Sequence, residues 1–106
     1  MTDWRDPIHP GEILAEELDE IGMNAAQLAE KLEVSKNRIY LIIDGKRSIT
    51  ADTALRLGKF FSTGPELWLN LQKAYELDVA RQKDVHLLDR IQPYRTPHDV
   101  QPVMGL

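Results

Sequence analysis

The sequence predicts an all-α protein, and three of its features support this fold class. Apolar residues recur at spacings of three and four along most of the chain, which is the periodicity of helices with one buried face. Capping residues, prolines and glycines divide this pattern into five segments. Hydrophobic residues make up 42% of the 106 residues, which is enough for one small core.

The first helix is expected at about residues 10–21. Pro10 suits the first helical position, because an N–H group there would have no partner within the helix. Gly22 ends the run of helical spacing. The apolar stripe of this helix consists of Ile13, Leu14, Leu18 and Ile21.

The second and third helices are expected at about residues 25–32 and 36–43. Asn24 and Gln27 form a capping-box pattern at the start of the second helix, and Ser35 is a capping residue for the third. The buried faces would consist of Ala25, Leu28, Ala29, Leu32, Ile39, Ile42 and Ile43.

The fourth helix is expected from a Thr50 cap to about Phe61, and the fifth from Pro65 to about Lys83. Prolines then interrupt regular structure, so that the stretch DVHLLDRI would form a short strand or a turn of helix. These prolines are Pro93, Pro97 and Pro102. The expected division is an N-terminal arm at residues 1–9, a helical domain at 10–83 and a short irregular tail at 84–106.

Two short helices joined by a tight turn form a helix-turn-helix unit. The second and third helices fit this unit, because Ala29 is small where the helices cross and Val34 is an apolar turn residue. Ile39 supplies the matching contact from the third helix. In such a unit the later helix enters the major groove of DNA, so the sequence predicts a DNA-binding domain.

The outward face of the third helix would read bases, because Asn bonds adenine and Lys or Arg bonds guanine in the major groove. The base-reading candidates are Lys36, Asn37, Arg38, Tyr40 and Leu41. Helix starts and a cationic loop suit backbone phosphates. The phosphate-binding candidates are Ser35, Lys46, Arg47, Ser48 and Thr50.

Charge is unevenly distributed along the chain. The formal net charge is −4, yet residues 35–50 carry four basic side chains and one acidic one. Residues 1–34 carry nine acidic side chains and two basic ones. This split favours two partners of opposite charge. The alternative is that both runs are ordinary solvated faces.

Composition disfavours several classes of protein. The chain has no cysteine, which excludes disulfides and thiolate metal sites. No apolar run approaches the roughly 18 residues of a membrane span, and the N-terminus lacks a signal-peptide pattern. His9, His86 and His98 lack metal-ligand spacing, and His9 is expected to make a local turn contact. We therefore expect a cytoplasmic protein without cofactor, metal, small-molecule substrate or enzymatic activity.

Three segments resemble a known family: HPGEIL at 9–14, GKRSITADTALRL at 45–57 and PELWLNLQKAYEL at 65–77. Over about residues 7–83 the chain resembles the HigA/VapI antitoxins, which have xenobiotic-response-element helix-turn-helix domains of the five-helix, lambda-repressor-like fold. The resemblance implies a homodimeric repressor of its own double-stranded operator DNA. It also implies a non-enzymatic antitoxin that silences a basic HigB-type toxin, a RelE-fold mRNA endonuclease.

Two surfaces are candidates for these protein partners. The acidic first helix would dock the basic toxin, with simple solubility as the alternative, and its candidate residues are Glu12, Glu16, Glu17, Asp19 and Glu20. The fifth helix is apolar on more than one side, which favours a two-fold dimer over a monomer. Its candidate interface residues are Trp68, Leu71, Tyr75 and Val79.

The sequence departs from the family pattern at two positions. Ala25 stands where the wider superfamily often has a Gln that contacts phosphate, so that contact is not expected here. Glu33 stands in the turn where Gly is common. A left-handed backbone at Glu33 would cost on the order of 1 kcal/mol.

Two other functions remain open from the sequence. A standalone helix-turn-helix repressor without a toxin would share nearly all of these features. A protein-interaction module that has lost DNA binding is disfavoured by Lys36, Asn37 and Arg38, because such a module has no need of them on that helix.

Overall fold

In the computed structural model, which describes residues 6–94, the chain folds into five α-helices and that part contains no β-strand. The helices are α1 (Pro10–Ile21), α2 (Ala25–Leu32), α3 (Lys36–Ile43), α4 (Ala51–Phe61) and α5 (Pro65–Leu88). The first four have the predicted bounds, and the all-α class is confirmed. The expectations for residues 1–5 and 95–106, which include His98, Pro97 and Pro102, lie outside the described residues.

Side-chain capping starts α2 and α3 as the sequence predicts. Asn24 Oδ1 accepts the Gln27 N–H at 2.8 Å, and Gln27 Oε1 accepts the Asn24 N–H at 2.9 Å. Ser35 Oγ accepts the Arg38 N–H at 3.1 Å. Thr50 differs, since it occupies the N-cap position of α4 without a side-chain bond to that helix. Its hydroxyl instead lies 3.5 Å from that of Thr53, so the predicted capping bond is wrong.

The helices enclose one apolar core in which Trp68 is the largest side chain. Its ring lies 5.6 Å from that of Phe61, and its Nε1–H donates to the Thr63 hydroxyl at 3.1 Å. The start of α5 is thereby docked against the end of α4. The other core residues are Leu14, Leu18, Ala25, Leu28, Ala29, Leu32, Ile39, Ile42, Ile49, Ala54 and Leu57.

Two glycines allow backbones to approach too closely for any side chain. A Cβ on Gly11 would overlap the carbonyl group of Ile42, so α1 lies directly against the end of α3. A Cβ on Gly58 would overlap the backbone of Gly64, which brings the α4–α5 turn against α4. The first contact fixes α1 relative to the helix that would read DNA.

Helix α5 is longer than the sequence predicts. It was expected to end near Lys83 but continues to Leu88, with non-helical backbone at Asp84 (φ −112°, ψ 19°). Of the two alternatives for the stretch from Asp84 to Ile91, a short strand or a turn of helix, the structure has helix as far as Leu88, continuous with α5 rather than in an irregular tail. Only Trp68 and Gln72 are buried within α5, so its second half extends away from the core with both polar and apolar side chains exposed.

Candidate nucleic-acid interface

The turn between α2 and α3 has the tight geometry that the sequence predicts. Glu33 adopts a left-handed backbone (φ 60°, ψ 45°), and its N–H together with that of Val34 closes the end of α2. Ala29 and Ile39 are buried at the crossing, with Val34 packed against the core beside them. α3 is thus held at a fixed angle, and the face opposite Ile39 is directed to solvent.

The structure places most of the base-reading candidates on the outward face of α3. Lys36, Asn37 and Tyr40 are exposed, and Leu41 is half-buried. These side chains could reach the base edges of a major groove together. That they read bases stays a prediction.

Arg38 differs from the sequence expectation, because its guanidinium is turned from the outward face of α3 toward α4. Its Nη1 donates to Asp52 Oδ2 at 2.7 Å and approaches the Thr53 hydroxyl at 3.4 Å. Three-quarters of the Arg38 side chain is buried. In the free protein Arg38 therefore ties α3 to α4 rather than facing the bases.

Asp52 extends this tie to α2 through a second arginine. Arg56 Nε donates to Asp52 Oδ2 at 3.1 Å, while Arg56 Nη1 donates to the carbonyl oxygen of Leu32 at 2.7 Å. Hydrogen bonds from Arg38 and then Arg56 hold the pKa of the Asp52 carboxyl below its ordinary value, so it is ionised at neutral pH.

The cationic loop after α3 is anchored at both ends. At its start, the N–H groups of Gly45 and Lys46 donate to carbonyl groups of α3 at 3.0 and 2.8 Å. At its end, Ile49 is buried and donates its N–H to Gln72 Oε1 of α5 at 2.8 Å. Between these anchors Lys46, Arg47 and Ser48 are exposed, as a phosphate-binding loop requires.

The two remaining phosphate candidates flank this loop and α3. Ser35 is exposed, but its Oγ accepts a hydrogen bond from α3, so a phosphate would meet its hydroxyl proton or the free N–H groups of the helix start. Thr50 is exposed at the start of α4. Both positions therefore border the same surface as the loop.

His9 contacts three parts of the structure, whereas the sequence predicts only a local turn contact for it. Its Nδ1 accepts the Gly11 N–H at 2.9 Å, which caps α1, and its imidazole lies against the cationic loop beside Gly45. Its ring also packs edge-on against Tyr75 of α5 at 4.8 Å between centroids. Burial lowers the pKa of His9, and Glu12 opposes this shift.

The acidic side chains of α1 form a separate exposed surface. The opposite face of α1 is buried in the core through Leu14 and Leu18. All five toxin-binding candidates are exposed: Glu12, Glu16, Glu17, Asp19 and Glu20. No ion pair with a described residue is recorded for them, so their charges remain available to a partner within the part of the chain that is described.

The dimer candidates on α5 separate into two groups. Trp68 is 1% exposed and belongs to the core, so it differs from the expectation of an interface residue. Leu71 and Tyr75 are half-buried and line a groove of about 620 Å³ between the start of α1 and α5. Val79 is exposed beside it. The groove is lined mainly by apolar side chains, which include Ile8, Ile13, Leu71, Ala74, Tyr75 and Val85.

Residues 6–94 contain neither a cluster of metal-ligating side chains nor a membrane-spanning helix. No three His, Cys, Asp or Glu side chains in that stretch are grouped as metal ligands would be. None of the helices found there is long and apolar enough to cross a membrane.

The turn, the outward α3 and the anchored loop define a helix-turn-helix protein, and comparison with known sequences supports this. The helix-turn-helix family model matches residues 14–68. Virulence-associated protein I of Dichelobacter nodosus is 53% identical over 76 residues, covering 71% of this chain and 70% of that protein. Antitoxin HigA-1 of Vibrio cholerae is 36% identical over 80 residues, covering 74% and 75% respectively.

Solved structures of HigA antitoxins are also similar to this chain. A HigA-family addiction module antidote protein from Coxiella burnetii is 54% identical with a TM-score of 0.83, covering 85% of this chain and all of that chain. The Pseudomonas aeruginosa antitoxin HigA, solved with the higBA promoter, is 41% identical with a TM-score of 0.80, covering 84% and 99% respectively. This chain therefore belongs to the helix-turn-helix family, among its HigA-type antitoxins. Antitoxin HigA-1 and the two solved structures are named as antitoxins or antidote proteins, and further relatives are named as HTH-type transcriptional regulators, so the family is not one of enzymes.

Proposed function

We propose that this protein is a homodimeric repressor that binds its own operator and also neutralises a basic HigB-type toxin. One observation supports the DNA-binding part of this proposal. The exposed cations of the loop, Lys46 and Arg47, lie on a segment that is fixed by hydrogen bonds to α3 and α5. A fixed loop beside the outward face of α3 presents phosphate contacts and base contacts as one surface.

The relatives support the choice of DNA as the partner. The structures of the Pseudomonas aeruginosa HigA and of the antitoxin GraA contain the higBA promoter and the GraA operator respectively. The GraA complex is 39% identical to this chain, with a TM-score of 0.80, and covers 91% of it. An operator would be read by Lys36, Asn37 and Tyr40, with Leu41 at the edge of the contact. A repressor acts where its operator lies, which places it in the cytoplasm.

The proposed DNA binding is tested with the DNA that precedes this protein's own reading frame. We expect that fragment to be bound more tightly than a scrambled fragment of equal length, by about a thousand-fold or more at physiological salt. Equal affinity for the two fragments would contradict sequence-specific repression.

The toxin-binding part rests on the exposed acidic face of α1. A basic partner would gain from several exposed carboxylates on one helix, and it would lose affinity if their charge were reversed. Changing Glu16, Glu17 and Glu20 together to Lys should weaken binding of a co-expressed basic toxin. Reversal of Glu66, Glu30 and Asp89, which are exposed elsewhere, is the matched control. Equal toxin affinity in both triple variants would contradict docking on α1.

A standalone repressor is the second candidate function, because it would use the same fold and the same DNA-facing surface. Only the toxin distinguishes the two. Co-purification of this protein with the product of a short basic reading frame beside its own supports the antitoxin. A stable absence of any such complex would favour the standalone repressor.

The dimer rests on the exposed apolar surface of α5. Leu71, Tyr75 and Val85 line the groove between α1 and α5, while Leu77 and Val79 are also exposed along that helix. Several exposed apolar side chains on one helix favour contact with another chain. A second copy related by two-fold symmetry is the simplest such partner. A two-fold dimer would present two copies of α3 to half-sites about 34 Å apart.

A further inference from the structure

The ion pair between Arg38 and Asp52 has a consequence for DNA recognition. Arg38 is at the edge of the outward face of α3, where a free guanidinium could reach a phosphate or a base. Instead its Nη1 is held 2.7 Å from Asp52 Oδ2, with the Thr53 hydroxyl at 3.4 Å. One cation of the DNA-facing surface is therefore held by an acid of the same chain.

The hold on Arg38 is reinforced by its surroundings. Asp52 Oδ2 also accepts from Arg56 Nε at 3.1 Å, and Arg56 is fixed in turn by the Leu32 carbonyl group at 2.7 Å. Asp52 is thus oriented by two cations, one of which is itself bonded to the end of α2. The arrangement connects α2, α3 and α4, the three helices that set the angle at which α3 meets DNA.

We propose that Asp52 is a specificity-determining positioning residue, which keeps Arg38 off the DNA and leaves sequence reading to Lys36, Asn37 and Tyr40. The inference rests on the proposed DNA binding. A guanidinium that is free to move bonds phosphates of any sequence, so its release would strengthen non-specific binding. Its retention on Asp52 limits that contribution and keeps α3 rigid against α4.

Release of Arg38 would affect operator and non-specific complexes differently. The non-specific complex would gain a phosphate contact. The operator complex would gain the same contact, but it would also have to order an α3 that has lost its tie to α4. The ratio of operator affinity to non-specific affinity should therefore fall when Asp52 is neutralised.

The test compares Asp52→Asn with Asp44→Asn, which removes the same charge at the exposed end of α3, where Asp44 makes no ion pair with another residue of 6–94. Affinity for operator and scrambled DNA is measured across a series of salt concentrations. We expect Asp52→Asn to steepen the salt dependence of scrambled-DNA binding by about 0.9 per protomer relative to Asp44→Asn, and to lower the specificity ratio. Identical behaviour of the two variants would overturn the proposal.

A variant of Arg38 shows whether Arg38 is the group that Asp52→Asn releases. Adding Arg38→Gln to Asp52→Asn should remove the extra salt dependence, whereas adding it to Asp44→Asn should leave the slope unchanged. A loss of slope in both backgrounds would mean that Arg38 contacts DNA in the unmodified protein, which overturns the proposal. Thermal melting confirms that each variant is folded.

The single variant Arg38→Gln decides the matter if Asp52→Asn does not fold. An unchanged salt slope supports an Arg38 held off the DNA, and a reduced slope overturns it. Failure of the unmodified protein to bind its operator in a salt-dependent way would instead refute the proposed function, and this inference with it.

Discussion

Gln72 of α5 accepts the backbone N–H of Ile49 at 2.8 Å, and both residues are buried. The Nε2 of Gln72 donates to Glu76 Oε2 at 2.9 Å. Bonds from Gln72 and then Lys73 hold the pKa of Glu76 below its ordinary value, so the chain of bonds persists at neutral pH. One polar side chain thus connects the helix proposed for dimerisation to the end of the loop proposed for phosphate binding.

Replacement of this glutamine tests its structural contribution. Gln72→Leu keeps most of the side-chain volume but leaves the buried Ile49 N–H without a partner, which costs about 1–3 kcal/mol in the free energy of unfolding. Urea titration measures the loss. Gln92→Leu, at an exposed position, is the matched control and should change stability little. A Gln72→Leu variant as stable as that control would contradict the role of this bond.

The turn residue Glu33 provides a prediction in the stabilising direction. Its left-handed backbone is strained for a residue with a Cβ, so Glu33→Gly should raise the free energy of unfolding by about 0.5–1 kcal/mol. Gly22 has a similar φ of 69° and open space around it, so Gly22→Ala should lower stability by a similar amount. Melting temperatures that move in the same direction for both variants would refute the explanation by backbone strain.

His9 predicts a pH dependence of stability. Its pKa is lowered by burial, so above about pH 6.5 the imidazole is neutral in both folded and unfolded states. As the pH falls below that value, the unfolded chain takes up the proton first and the folded protein loses stability, until the folded-state pKa is passed. Protonation of Nδ1 would also remove the acceptor for the Gly11 N–H.

The measurement compares the unmodified protein with His9→Asn, whose amide oxygen can cap α1 but does not titrate. Glu12, Arg47 and Tyr75 face this ring and are unchanged in the variant. The difference in unfolding free energy between the two proteins should shrink as the pH falls from about 8 to about 5. A difference that is constant over this range would show that His9 does not titrate with folding.

The apolar surface of α5 predicts a dimer that one charge can dissociate. Val79→Glu should raise the fraction of monomer in sedimentation at micromolar concentration, because a buried unpaired carboxylate opposes association. Leu55→Glu places the same charge on α4, where the side chain is 60% exposed, and should leave the dimer intact. The proposal fails if the unmodified protein is already a monomer, or if both variants dissociate equally.

The helical framework was predictable from sequence because local patterns determine it. Apolar periodicity and the caps at Asn24 and Ser35 place α2 and α3 correctly, and Ala29 and Val34 identify the turn between them. The end of α5 was not predictable in this way. Pro93 marks where a helix cannot continue, but nothing local marks Lys83 as an end, and the helix resumes after Asp84.

Side-chain direction was the less predictable part of the site. Periodicity places Arg38 near the outward face of α3, yet an acid fourteen positions later attracts it. In the sequence, Trp68 lies on the same helical stripe as Tyr75 and Val79, but in the structure it is buried in the core. The ties made by His9 and Gln72 join segments far apart in the chain. The pair of Asp52 with Arg56 has the i, i+4 spacing that a helix favours, but the pair of Asp52 with Arg38 joins two helices and has no fixed sequence spacing that would reveal it.

If the anchored loop binds phosphate, its cations set part of the salt dependence of operator binding, and that dependence can be measured. The double variant Lys46→Gln, Arg47→Gln is compared with Lys59→Gln, Lys83→Gln, which removes two exposed cations elsewhere. Operator affinity is measured against salt concentration for both. Phosphate binding by the loop requires that the loop variant lose about 0.9 of slope for each phosphate contact removed, while the control keeps the slope of the unmodified protein. Equal slopes in the two variants would contradict it.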